Sequence, residues 1–113
     1  MANEKRVIDW ELGTKLAGNK REFAEEMLNL FVKTLASELT AMKTLKESKN
    51  YTDLLKRIHK LHGASCYCGV PRVKEAAAAL ETSLKHNKLA DICNLFTKFE
   101  TEVNYLLKEA LPH

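Results

Sequence analysis

The chain has 113 residues, enough for one domain with a modest core. Its 18 basic and 15 acidic residues are interspersed and leave a net charge of +3, with no run of four basic residues, which argues against nucleic acid as a partner. No apolar stretch approaches the about 18 residues of a membrane span, and no secretory signal opens the chain, so direct membrane contact is not expected.

With only four Gly and two Pro among abundant Ala, Leu, Lys and Glu, the chain reads as all-α. The opening "MANEK" is compatible with a native start or with a piece of a longer parent. The segment "VIDWELGTKLAGN" predicts a short helix over about 9–16, with Asp9 as N-cap and "AGN" as its breaker. Trp10 on this helix is expected to act as a lid over the end of the molecule.

A long helix follows at about 20–48. Phe23, Met27, Leu28, Phe31, Leu35, Leu39, Met42 and Leu45 fall at steps of three and four and make one apolar face. "ESKNYTD" is a turn with Asn50 as cap, and a third helix runs over about 51–68. It stops at "GVP", where Gly69 suits a left-handed C-terminal position and Pro71 the first turn of the next helix.

That next helix spans about 71–86 on Val73, Ala77, Leu80 and Leu84, and its "KEAAAALE" run reads as close helix packing. After the "KHNK" turn the last helix covers about 89–110, carrying Leu89, Ile92, Phe96, Phe99, Val103, Leu106 and Ala110. Four amphipathic stripes with short connections bury themselves only together. The expected architecture is a single domain over 1–113, an antiparallel four-helix bundle with a short extra N-terminal helix.

The stretch "RIHKLHGASCYCG" at 57–69 raises the question of chemistry. With about 100° per residue, Leu54, Ile58, Leu61, Ser65 and Cys68 share one core-facing arc. Leu55, His62 and Cys66 lie on its shoulder. His59 lies further round, with Gly63 and Lys56 beside it, and Lys60 faces water. His62 is therefore partly shielded, while a partner could touch His59.

A mid-helix glycine costs about 1 kcal/mol relative to alanine, and Gly63 one turn after His59 would clear bulk beside the imidazole. Packing inside the bundle is the alternative use of that glycine. His59, His62 and Cys66 could also lean together toward a metal, but zinc usually takes four ligands and no fourth is evident. A plain helical interaction module with incidental histidines is the other alternative. Three cysteines without framework spacing fit free thiols in a reducing cytoplasm. Cys68 and Cys93 sit at or beside core stripes, and His86 and His113 read as exposed bystanders.

The run "HKLHG" at 59–63 resembles the H-x-L-K-G signature of histidine-containing phosphotransfer (HPt) domains. With "RIHKLHGASCYCGVPRVKEAAAALE" and the upstream "VIDWELGTKLAGNKREFAEEMLNLFV", the chain is similar to the C-terminal HPt domain of BarA/GacS-type hybrid sensor histidine kinases. The resemblance implies a bundle that accepts a phosphoryl group on His59 from a receiver-domain phospho-aspartate and passes it to another receiver in two-component signalling. Leu61 would anchor the core side and Gly63 supply clearance.

The family's frequent lysine is His62 here, which carries charge only when protonated, with histidine's ordinary titration at about pH 6.5. Lys56 and Lys60 are the candidates to replace that charge, and Leu55 and Cys66 to touch the partner. No Gly-rich phosphate loop or acidic metal cluster points to ATP, so kinase activity is not expected of this chain alone. The resemblance further implies no cofactor of its own, Mg²⁺ on the partner receiver, a monomer, and a cytoplasmic place, whether free-standing or as the tail of an inner-membrane sensor kinase.

Overall fold

The computed structural model describes residues 5–110, and among these the chain forms five helices and no strand. They are α1 (Trp10–Leu16), α2 (Arg21–Glu47), α3 (Tyr51–Ser65), α4 (Pro71–Lys85) and α5 (Leu89–Ala110). Helices α2 to α5 close a ring in which α2 packs on α3, α3 on α4, α4 on α5 and α5 back on α2, while α1 lies against α2. None of these helices is long and apolar enough to cross a membrane.

Local signals in the sequence set the helix ends. The Asp9 side chain accepts from the Leu12 N–H at 3.0 Å, and the Asn50 side chain accepts from the Asp53 N–H at 3.3 Å. Pro71 opens α4, where a missing N–H costs nothing. The three turns between bundle helices pass through left-handed residues, Lys49, Gly69 and Asn87. Only at Gly69 is the small residue obligatory. Its φ is +64°, and a Cβ there would stand 2.7 Å from the Asp9 carbonyl oxygen and 2.8 Å from the Gly13 Cα. That contact, with the Asp9 N–H donating to the Gly69 carbonyl at 2.9 Å, docks α1 onto the α3–α4 turn.

The core joins Leu28, Leu35, Leu39 and Met42 of α2 to Leu54, Ile58 and Leu61 of α3, Val73, Ala77 and Leu80 of α4, and Ile92, Phe96, Phe99, Val103 and Leu106 of α5. Burying each of the larger side chains contributes about 1.5–3 kcal/mol, which outweighs what helix propensity alone could supply. Trp10 is half-buried against this cluster, with the Arg21 guanidinium 4.1 Å over its ring. Between α4 and α5, Arg72 donates to Oε2 of the buried Glu102 at 3.1 Å, and Lys98, four residues earlier on α5, reaches the same oxygen at 3.0 Å.

Three expectations need correction. The third helix ends at Ser65, not Cys68, because the N–H groups of Cys66, Tyr67 and Cys68 turn to carbonyls three residues back and tighten the chain into the Gly69 turn. Phe23 is 50% exposed, not part of the buried stripe. Ala24 and Leu28 take that role, and at about 100° per residue Phe23 falls well outside their arc. Leu89, the first residue of α5, is also exposed, ahead of the point where α4 covers its helix.

Candidate functional site

Helix α3 presents two opposite environments within one turn. Leu54, Ile58, Leu61 and Ser65, followed by Cys68, are all buried, as their common arc requires. The His59 side chain is 70% exposed although its neighbour Ile58 is fully enclosed. His62, one turn on and nearer the bundle, is 27% exposed. Gly63 is exposed, and a Cβ added there would meet nothing within 4 Å.

Both imidazoles converge on a single carboxylate across the α3–α4 interface. Glu81 lies on the inner face of α4 with its side chain 7% exposed. His59 Nδ1 stands 2.5 Å from Oε2, and His62 Nδ1 stands 2.8 Å from Oε1. From the same helix, Lys85 Nζ reaches Oε2 at 3.4 Å. Burial is the largest single influence on Glu81 and raises its carboxyl. The hydrogen bonds from His59, His62 and Lys85, with the charge of Lys85, outweigh it and hold the group below the usual carboxylate range.

That ionisation fixes the tautomers. A carboxylate only accepts, so both Nδ1 atoms must carry the proton and donate. A neutral His59 therefore keeps its lone pair on Nε2, the nitrogen on the far side of the ring from Glu81. The arrangement resembles that of any histidine oriented by a carboxylate, with one nitrogen held and the other left as a nucleophile or base.

The remaining candidates divide between the flanks of α3. Lys56 and Lys60 are exposed, and Lys60 lines a groove shared with α2. That groove is apolar, walled by Met27, Phe31, Leu35, Leu61 and Ala64, with Leu30 and Tyr67 at its mouth 61% and 62% exposed. Leu55 and Cys66 sit half-buried on the other flank. Leu55 packs against the core and the Cys66 thiol donates to the His62 carbonyl at 3.4 Å. Among the described residues, no group of three or more His, Cys, Asp or Glu side chains is arranged to hold a metal ion.

Cys68 is buried and Cys93 exposed beside the buried Ile92, and neither is in a disulfide. His86 is exposed at the end of α4, and His113 lies outside the described residues. Glu81 and Lys85 do not stand out in a sequence reading centred on 57–69. A signal was present: Glu81 follows Ala77 by four residues and precedes Leu84 by three, so it occupies a stripe position. A carboxylate there is costly unless cations or donors meet it.

Comparisons with known proteins bear on the same region. The family model described as "Hpt domain" matches residues 26–110. The chain is 38% identical over 81 residues to "Sensor protein GacS" of Pseudomonas syringae pv. syringae, covering 72% of this chain and 9% of that protein. It is 31% identical over 85 residues to "Signal transduction histidine-protein kinase BarA" of Escherichia coli (strain K12), covering 75% of this chain and 9% of that protein. The crystal structure of the HPT domain of a sensor hybrid histidine kinase from Shewanella superposes with a TM-score of 0.67 at 30% identity, covering 91% of this chain and 95% of that one. The chain therefore spans about a tenth of the length of the curated relatives it matches.

Proposed function

Because the chain belongs to the Hpt family of phosphotransfer domains, whose members serve two-component phosphorelays, we propose that His59 is the residue that carries the phosphoryl group. Its Nε2 lone pair attacks the phosphorus of a receiver-domain phospho-aspartate. A nitrogen–phosphorus bond forms, the acyl oxygen–phosphorus bond breaks, and the aspartate leaves as carboxylate. A second receiver reverses the step and takes the group onward. Phosphoryl transfer needs chiefly positioning and charge neutralisation. This chain supplies a nucleophile on a rigid helix, and the receiver supplies Mg²⁺ and its acidic pocket.

The observation that carries this reading is the exposed His59 ring with Nδ1 held by the buried Glu81. Around it, Gly63 leaves room for a foreign backbone, and Lys56, Lys60 and His62 offset part of the about −1.5 to −2 charge a phosphoryl group brings. Receiver docking would use the surface about His59, with Leu55 and Cys66 on one flank and the α2–α3 groove on the other.

The chain needs no cofactor of its own and is not an enzyme in isolation. Its similarity to GacS and BarA suits a domain at the cytoplasmic end of a hybrid sensor kinase, and a bundle that presents one face needs only to be a monomer. With ATP and Mg²⁺ alone, the protein should stay unlabelled. Adding a phosphorylated cognate receiver should place an acid-labile phosphate on His59, located by mass spectrometry. His59→Gln should stay unlabelled in both cases, and a labelled His59→Gln protein would refute the assignment.

A further inference from the structure

We propose that Lys85, from α4, supplies the direct cationic contact to the phosphoryl group, whereas Lys56 and Lys60 on α3 contribute only solvent-screened charge from a distance. The inference rests on His59 as acceptor and names the residue that receives the incoming charge. His62 stands where a lysine would give α3 a permanent cation, and an imidazole is charged only when protonated. The charge must come from elsewhere, and three lysines are within sequence or spatial reach.

Geometry separates them. Lys60 is directed into the groove with α2, alongside Glu38 and Arg57, on the flank away from Glu81. Lys56, one turn before His59, is exposed, and the ion pairs of the Glu81 carboxylate that holds the ring include Lys85 but not Lys56. Lys85 lies four residues after Glu81 on α4, and the lean of helical side chains toward the N-terminus brings its ammonium back over the carboxylate. The legs of 2.5 Å from His59 Nδ1 and 3.4 Å from Lys85 Nζ to one oxygen, Oε2, place Nζ no more than about 5.9 Å from Nδ1.

Lys85 is also free to move. It is the last residue of α4, its side chain is 55% exposed, and its contact with Glu81 is the longest of the three that carboxylate makes. When a phosphoryl group arrives on Nε2, the ammonium swings from Glu81 to a phosphoryl oxygen. Glu81 keeps both imidazole N–H donors and is not left unpaired. No proton changes hands: the lysine exchanges one anionic partner for another of higher charge.

The test uses potassium phosphoramidate as phosphoryl donor, so that receiver docking plays no part, with the labelled residue mapped by mass spectrometry. The phosphorus NMR signal of the labelled protein is then followed against pH. A cation on the phosphoryl oxygens favours the dianion, so the titration midpoint in the unsubstituted protein should lie below that of Lys85→Met by about half to one pH unit. Lys85→Arg should restore it, and Lys56→Met and Lys60→Met should leave it in place. A purely structural Lys85 would change thermal stability without moving that midpoint. Equal midpoints with and without Lys85, or a shift in Lys60→Met instead, would overturn the proposal while leaving His59 as acceptor intact. Absence of phosphate on His59 in the unsubstituted protein would remove both.

Discussion

The Glu81 carboxylate and the His59 imidazole divide one task between two helices: the buried group on α4 holds Nδ1, and the exposed ring on α3 is left with Nε2 free. A glutamine at 81 keeps the shape and loses the charge that fixes the tautomer. Glu81→Gln should slow phosphoryl acceptance by about ten- to a hundredfold, by analogy with the range that loss of an orienting partner costs metal-ligating histidines. Its far-ultraviolet circular dichroism should match that of the parent. An unchanged labelling rate would show that the carboxylate does not orient the reactive ring.

Acid should weaken the bundle through two buried carboxylates. Burial raises both Glu81 and Glu102, but the bonds from His59, His62 and Lys85 to the first, and from Arg72 and Lys98 to the second, hold each below its ordinary 4.5. An acid that titrates lower in the folded state contributes stability that is present above the unfolded value and is lost as pH falls through the folded one. The urea midpoint should therefore drop on acidification below pH 4.5, and Glu102→Gln should show a shallower drop from a lower starting stability. A slope in Glu102→Gln equal to the parent's would assign acid unfolding to other groups.

Space beside His59 separates partner access from intrinsic reactivity. A Cβ at position 63 meets nothing, so Gly63→Ala should stabilise α3 by up to about 1 kcal/mol. Thermal denaturation should register the gain, and labelling by phosphoramidate should be unchanged. Transfer from a phosphorylated receiver should slow, because the added methyl occupies the approach. Unimpaired transfer would mean that the glycine serves no clearance role.

Gly69 should behave in the opposite way. A side chain there would be forced into a left-handed conformation and against the Asp9 and Gly13 backbones. Gly69→Ala should cost at least about 2 kcal/mol. Protection of the Asp9 and Gly13 amides in hydrogen exchange should fall with it. Retained protection at those two amides would show that α1 docks by other means.

The cysteines should react in order of exposure. Burial pushes the Cys68 thiol up to about 11, whereas Cys93 stands in solvent. Iodoacetamide at pH 8 should modify Cys93 well before Cys68. An unfolded thiol ionises from 9.0 and the folded Cys68 only near 11, so stability should decline as pH rises between them. Cys68→Val should flatten that decline, and faster alkylation of Cys68 than Cys93 would contradict the burial.

Much of this molecule is written in short-range pattern. Asp9, Asn50 and Pro71 mark helix starts because capping depends on the few residues next to a free N–H. The buried arc of α3, and with it the outward position of His59, follows from 3.6 residues per turn, a property of one helix alone. Where periodicity misled, the cause was local too. Phe23 is in step with Met27, but the row it starts turns into the buried arc of α2 only further along, at Leu35 and Leu39, and leaves Phe23 outside.

Other facts depended on how the helices meet. The rotation and register of α4 against α3 are set by which side chains interlock in the core, and no spacing within either helix contains that information. For this reason Glu81, in an alanine run that reads as packing, turned out to be the common partner of two histidines nineteen and twenty-two residues earlier. Lys85 reaches that carboxylate from four residues along α4 itself, and the packing of α2 on α3 sets Lys60 in the opposite groove. The sequence alone determined five helices and an imidazole facing outward. Tertiary packing decided which of its nitrogens is held and which charges surround it, because a hydrogen bond between helices forms only after the core has fixed their relative placement.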